Sequence, residues 1–271
     1  MRSWSLLVPC VAVVVGLTAC DGSPGSDTAS GATSSSAGTS SAGELTGTLT
    51  VFAAASLTDV FGELGHRLTA ANPHLDVTFN FAGSSALATQ ITQGAPADVF
   101  ASANQTQMTV VTDEHLQAGD PQVFTENVLE IAVPKGNPGK VAGIAGFADP
   151  DLTLAVCAPD VPCGAAAEKV FAAAGITAVP DTEEEDVRAA LTKVQLGEVD
   201  AALVYASDVR SAGSDVEGIP FSEAEDAINE YPVCALADGK NPAAAKAFID
   251  LVLSDEGQKD LEAAGFRAPS A

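Results

Sequence analysis

The sequence predicts an α/β fold of two lobes, with a ligand cleft between them and two extended crossovers joining them. Three observations carry this expectation. From Leu49 onward, short β-rich runs alternate with stretches of helical period. The chain beyond its N-terminal leader, about 225 residues, suits one large or two moderate lobes. Several strands end in small residues just before a helix begins, a form that leaves backbone N–H groups without partners.

The first element is a leader. Arg2 supplies a positive start, Leu6 to Leu17 an apolar stretch, and Leu17-Thr18-Ala19-Cys20 a small-residue close. The stretch is too short for a spanning helix. Its last four residues resemble a bacterial lipobox, which implies a signal peptide over 1–19, cleavage before Cys20 and a lipid on the Cys20 sulfur. Residues 20–44 are then a tether of Ser, Thr, Gly and Ala, which has too little to bury to offset its ordering entropy.

In the first lobe, Leu49 to Ala53 reads as a strand. Leu57, Val60, Phe61, Leu64 and Leu68 recur at helical spacing after it, until Asn72-Pro73 ends the helix. Leu75 to Phe81 is the next strand, a short helix carries Leu87 and Ile91, and Val99 to Ala101 is a further strand. The rhythm predicts a parallel, open sheet. In the second lobe, strands are expected at Val128–Val133, Leu152–Val156, Ala201–Tyr205 and Tyr231–Leu236. Helices are expected at about Gly164–Ala174 and Val187–Leu196. Two helices, Pro242–Ser254 and Asp255–Ala264, close the chain. The expected division is 45–126 plus 239–271 for the first lobe and 127–238 for the second, with crossings near Asn127 and Pro232. Ligands of such sheets sit beyond the carboxyl ends of the strands.

Composition excludes some functions. The formal charge is −24 with only 12 Lys and Arg, so no basic patch for nucleic acid is available. Cys157 and Cys163 lie close together around two prolines, and a local disulfide is expected between them, although spacing alone does not fix connectivity. Cys234 is then a buried thiol. No CxxC or His cluster points to a metal-ligand site.

Four places share the strand-to-helix form: Ala54-Ala55-Ser56, Ala82-Gly83-Ser84-Ser85, Val161-Pro162-Cys163-Gly164 and Glu185-Asp186-Val187. A helix N-terminus offers free N–H groups and a partial positive charge, which suits an anion. Each serine, and Asp186, could equally be an ordinary N-cap. Two sites from each lobe make the joint pattern more telling than any one.

Several runs together resemble the bacterial molybdate-binding proteins: Val51–Leu57, Phe81–Ser85, Gln93–Phe100, Glu185–Leu191, Val204–Asp208 and Tyr231–Val233. The resemblance spans Gly47 to Phe266. It implies a two-lobed type II periplasmic-binding-protein-like fold, a monomer without cofactor, and molybdate or tungstate as ligand. It further implies an ABC permease with cytoplasmic ATPase subunits as partner, and an extracytoplasmic place at the cell membrane, held only through lipid on Cys20. Carried over, Ser56 and Ser84 each offer a hydroxyl and an N–H, Cys163 and Val187 an N–H, and Tyr205 a phenol, as donors to the oxyanion's oxygens, with no direct protein ligand to the metal. Arg188 is expected to leave along its helix.

Neutral donors in a dry cleft hold a dianion without a charged partner. They also reject a protonated anion such as phosphate, for which they offer no acceptor. Sulfate, a smaller ionised tetrahedron, is the alternative ligand. A secreted hydrolase with a serine nucleophile is the alternative of another class. It is disfavoured because Gly83-Ser84-Ser85-Ala86 lacks the second glycine of a nucleophile elbow. His66, His74 and His115 read as solvated surface, Gly136–Lys140 as a turn, and Glu183–Asp186 as acidic charge at a helix start.

Overall fold

The structure is a computed structural model that describes residues 44–270. The expected signal peptide, the lipidated Cys20 and nearly all of the tether lie outside the described residues. Those described fall in one compact unit.

The chain starts with β1 (Thr46–Ala54), followed by a 3-10 turn (Ala55–Leu57), α1 (Thr58–Ala71), β2 (His74–Ala82), α2 (Ser84–Thr92), β3 (Val99–Ala101), α3 (Gln105–Asp113) and β4 (Gln117–Asn127). The second lobe holds β5 (Leu129–Pro134), β6 (Leu154–Cys157), α4 (Pro162–Ala174), β7 (Thr182–Glu184), α5 (Val187–Gln195), β8 (Ala201–Tyr205), α6 (Ala206–Ala212) and β9 (Val216–Ile219). The chain then returns through β10 (Asn229–Leu236), α7 (Pro242–Leu253) and α8 (Asp255–Ala263).

Two five-stranded sheets result, ordered β2-β1-β3-β10-β4 and β7-β6-β8-β5-β9. Neither is purely parallel, contrary to the expectation. β1, β2 and β3 run parallel, but β10 enters antiparallel to β3 and β4. In the second sheet β6, β7 and β8 are parallel and β5 is antiparallel to β8 and β9. The cause is the crossover itself. A strand that leaves one sheet and feeds the other arrives without a βαβ turn to set its direction.

β10 also corrects the expected lobe boundary. The sequence places residues up to 238 in the second lobe, yet β10 pairs with β3 and β4 of the first. The outward crossing falls between Asn127 and Leu129, and the return lies between Ile219 and Asn229.

The centre of the first sheet is covered on both faces, so the end of β1 and β3 read as apolar runs, whereas the edge strand β2 alternates. Leu49, Val51 and Ala53 face one core, with Phe61, Leu64, Phe248 and Val252 from α1 and α7. Phe52 faces the other, with Leu87, Ile91, Met108 and Cys234. Phe61 and Phe248 meet edge to face at 5.2 Å. Each such buried ring or leucine stabilises the fold by about 1.5–3 kcal/mol. A separate core, including Ile131, Phe147, Val156, Val170 and Leu191, holds the second sheet between its helices. Two lobes with independent cores can shift as bodies.

Asp98, in one of the recognisable runs, has a structural task. Its carboxylate accepts from the N–H groups of Thr50 (2.7 Å) and Asn241 (2.8 Å), tying β1 and the start of α7 to the head of β3.

Candidate functional site

The four strand-to-helix junctions converge. Ser56, Ser84, Cys163, Val187 and Tyr205, drawn from both lobes, line one tight cavity of about 10 Å³ together with Gly83, Ala103 and Asp186. All five predicted residues are buried.

Local structure explains their placement. Ser84 is the first residue of α2, Cys163 the second of α4 after Pro162, and Val187 the first of α5, so three helix N-termini face one space. Proline fits the first turn of α4 because its missing N–H would have no partner there. Among the described residues no hydrogen-bond acceptor takes the N–H of Ser84, Cys163 or Val187. Asp186 does cap α5, but its Oδ1 accepts from Arg188 (2.8 Å) and Ala189 (2.9 Å) and leaves the Val187 N–H over. Asp186 thus both caps its helix, as its position before Val187 suggests, and lines the cavity.

The capping alternative fails for both serines. Neither caps its helix: the residues at those positions are Ala54 and Gly83. Ser56 Oγ shares a hydrogen bond of 2.9 Å with the Tyr231 hydroxyl, and Ser84 Oγ accepts from the Ala103 N–H at 2.9 Å. The Tyr205 hydroxyl accepts from Asn229 Nδ2 (3.0 Å), which also donates to the Ala103 carbonyl (2.7 Å). With its lone pair engaged, the Tyr205 phenol keeps its own proton to donate. Burial raises both phenols, Tyr205 well above the ordinary range, so both remain protonated. Their rings meet edge to face at 6.0 Å.

Ala103 in the lining, and Tyr231 and Asn229, which bond to Ser56 and Tyr205 from behind it, are not among the residues expected from the sequence. Tyr231 stood within a recognised run, the one signal that could have found it. The three histidines are exposed and none lines the cavity.

The loop before α4 is stapled by a disulfide between Cys157 and Cys163. It folds tightly over Gly164, where a Cβ would lie 1.9 Å from the Ala158 carbonyl oxygen and 2.6 Å from that of Cys157. Replacing both cysteines with serine is expected to lower stability by about 2–3 kcal/mol, the loop entropy returned to the unfolded chain. Chemical unfolding with and without reductant measures this. An unchanged midpoint would contradict it. Cys234 is a free, buried thiol that burial pushes up to about 12.

Beside the cavity lies Asp208, fully buried at the start of α6. Its Oδ2 accepts from the Tyr205 N–H (3.1 Å), and Arg188 Nε stands 3.1 Å from its Oδ1 without hydrogen-bond alignment. Burial outweighs that cation, and the carboxyl is pushed up from 3.8 to about 7. The unfolded chain titrates lower, so this group's contribution to stability is full below 3.8 and is lost as the pH rises through about 7. Asp208→Asn has no charge to bury. Thermal unfolding at a series of pH values should find the variant gaining on the wild type across that window. A pH-independent difference would refute the assignment.

Arg188 does not leave along its helix. Its guanidinium crosses to the other lobe and pairs with Asp59 of α1. The lobes meet closely elsewhere too: a Cβ on Gly83 would lie 2.3 Å from the Glu185 carbonyl oxygen. The structure is therefore a closed form.

Two lobes closed on a cavity lined by helix starts and hydroxyl side chains define a solute receptor of the periplasmic-binding-protein class. The chain belongs to the bacterial extracellular solute-binding protein family, whose pattern matches residues 49–267. It is similar to the molybdate-binding protein ModA of Mycobacterium tuberculosis, 41% identical over 95% of both chains. It is also similar to ModA of Escherichia coli, 35% identical over 81% of this chain and 89% of that one. Among solved structures, the periplasmic molybdate-binding protein of Azotobacter vinelandii superposes with a TM-score of 0.72 over 82% of this chain and 100% of that one. At 18% identity, that likeness concerns the fold.

Proposed function

We propose that this protein captures molybdate, or the near-identical tungstate, outside the cytoplasm and delivers it to an ABC permease with cytoplasmic ATPases. On this reading the chain stays at the membrane through lipid on Cys20 and works as a monomer. Ser56 and Ser84 donate through hydroxyl and N–H, Cys163 and Val187 through N–H, and Tyr205 through its phenol.

One observation carries the reading: serine hydroxyls freed from capping and three helix N-termini, contributed by both lobes, line a single buried cavity. A wall rich in donors, whose one carboxylate, on Asp186, is engaged by the N–H groups of Arg188 and Ala189, suits a fully ionised tetrahedral dianion. Fixed dipoles in a site closed to water act far more strongly than the same groups in solvent. The names of the relatives support molybdenum over sulfur as the central atom. Each lobe supplies part of the donor set, so an anion bound to one lobe gains the remainder on closure and favours the closed form by that difference.

Calorimetric titration of the protein with molybdate, tungstate, sulfate and phosphate in parallel tests the reading. Tight one-to-one binding of the two larger oxyanions, with sulfate weak and phosphate silent, is expected. Tight sulfate binding would keep the closing mechanism and overturn the ligand. Silence with all four would return the donor loops to a structural role.

A further inference from the structure

We infer that Arg188 is a latch: its pairing with Asp59 across the cleft holds the closed form and so sets how slowly the ligand leaves. The inference rests on the closing receptor described above and adds a residue outside the donor set.

The position of Arg188 is unusual for a helix. It is the second residue of α5, where the positive end of the helix dipole disfavours a cation. Helix stability therefore does not explain it, and its side chain finds compensation elsewhere. Nη2 pairs with Asp59, while Nε lies 3.1 Å from Asp208. The two partners differ in kind. Asp208 belongs to the second lobe, as Arg188 does, and its carboxylate is fully buried. Asp59 belongs to the first lobe and its side chain remains 61% exposed. Lobe opening would separate Arg188 from Asp59 and leave it with Asp208.

Each member is also joined to a proposed donor. Arg188 follows Val187 directly. Asp59 lies three residues after Ser56, within the first turn of α1. Asp208 lies three after Tyr205 and accepts that residue's N–H. Ser56, Asp59, Arg188, Ser207 and Arg210 line one groove, so the ion pair stands at a mouth of the cleft, next to a donor serine. A contact formed only in the closed state, tied to the same helix starts that hold the anion, is what shifts a population toward closure.

Asp59→Asn is the discriminating variant, because it removes the crossing half and leaves the Arg188–Asp208 contact in place. A carboxylate beside a dianion would otherwise only repel it, so without a latch the variant should hold ligand as well or better. With the latch, radiolabelled molybdate chased by excess unlabelled molybdate should leave Asp59→Asn about three- to tenfold faster than wild type. High salt should speed release from the wild type and barely affect the variant. Release that is unchanged or slower in the variant would overturn the inference. If the wild type holds no molybdate, the ligand reading fails separately. Small-angle scattering of the ligand-free proteins then decides the latch. A larger radius of gyration for Asp59→Asn supports it, and equal radii overturn it.

Discussion

Gly83→Ala is expected to abolish tight ligand capture while leaving both lobes folded. Gly83 precedes α2 with φ −58 and ψ 136, a conformation open to any residue, so its own backbone accepts a side chain. The obstacle lies across the cleft. The added Cβ would fall 2.3 Å from the Glu185 carbonyl oxygen and 3.6 Å from Val161 Cγ1, both in the second lobe. A backbone carbonyl between β7 and α5 cannot swing aside as a long side chain can. The lobes would have to stay apart there, and the donors from one side would miss the anion. We expect affinity to fall by about a hundredfold or more, equivalent to about 3 kcal/mol. Thermal stability should change by less than about 0.5 kcal/mol, because the three atoms nearest the added methyl all belong to the second lobe and the first lobe's own packing is left as it is. Titration with molybdate beside thermal unfolding checks both halves. A variant that binds normally would mean that Gly83 and Glu185 do not meet in the liganded form.

Ser56→Ala and Ser84→Ala come next in size. Each removes one charge-assisted hydroxyl donor and should weaken binding by about 1–3 kcal/mol. Their side effects differ. Ser84→Ala leaves the buried Ala103 N–H without the acceptor it has at 2.9 Å, whereas Ser56→Ala deprives the Tyr231 hydroxyl of its partner. Both variants should therefore also lose some stability, and affinity must be measured well below the unfolding temperature. Since the serines share one cavity, the double variant need not show the sum of the single losses. Normal affinity in both single variants would remove these residues from the site.

The architecture was legible where local physics decides it. α1 shows Val60, Phe61, Leu64 and Leu68 at helical spacing, and they are its buried face. The end of β1 reads as an apolar run because it is covered on both sides, and β2 shows the alternation of an edge strand, with Leu75, Val77, Phe79 and Phe81 turned to the core. β4 was not read as a strand, and its sequence explains why. Gly119, Asp120 and Pro121 look like a loop, and only β10 alongside, pairing from Asn229 to Leu236, makes the segment extended. The same nonlocal pairing hid the sheet to which β10 belongs. α3 escaped because Met108 and Val111 are its only buried residues, too few to show a period.

The site followed the same division. Serines at a strand-to-helix junction are visible in a string of letters, because the end of a strand and the start of a helix are both local signals. Tyr231 reaches Ser56 over 175 positions, and no spacing rule spans that distance. For Arg188 the backbone position was legible and the side-chain direction was not. A helix-bound expectation took no account of a carboxylate supplied by the other lobe.

The central claim is that a tetrahedral molybdenum oxyanion sits among Ser56, Ser84, Cys163, Val187 and Tyr205, held only through its oxygens. Diffraction from crystals of the molybdate complex, recorded on both sides of the molybdenum absorption edge, tests it most directly. The account predicts one anomalous peak inside the cavity, surrounded by four oxygens, with no protein atom bound to the metal. A peak elsewhere on the molecule, or a sulfur, nitrogen or carboxylate oxygen in the metal's coordination shell, would contradict it.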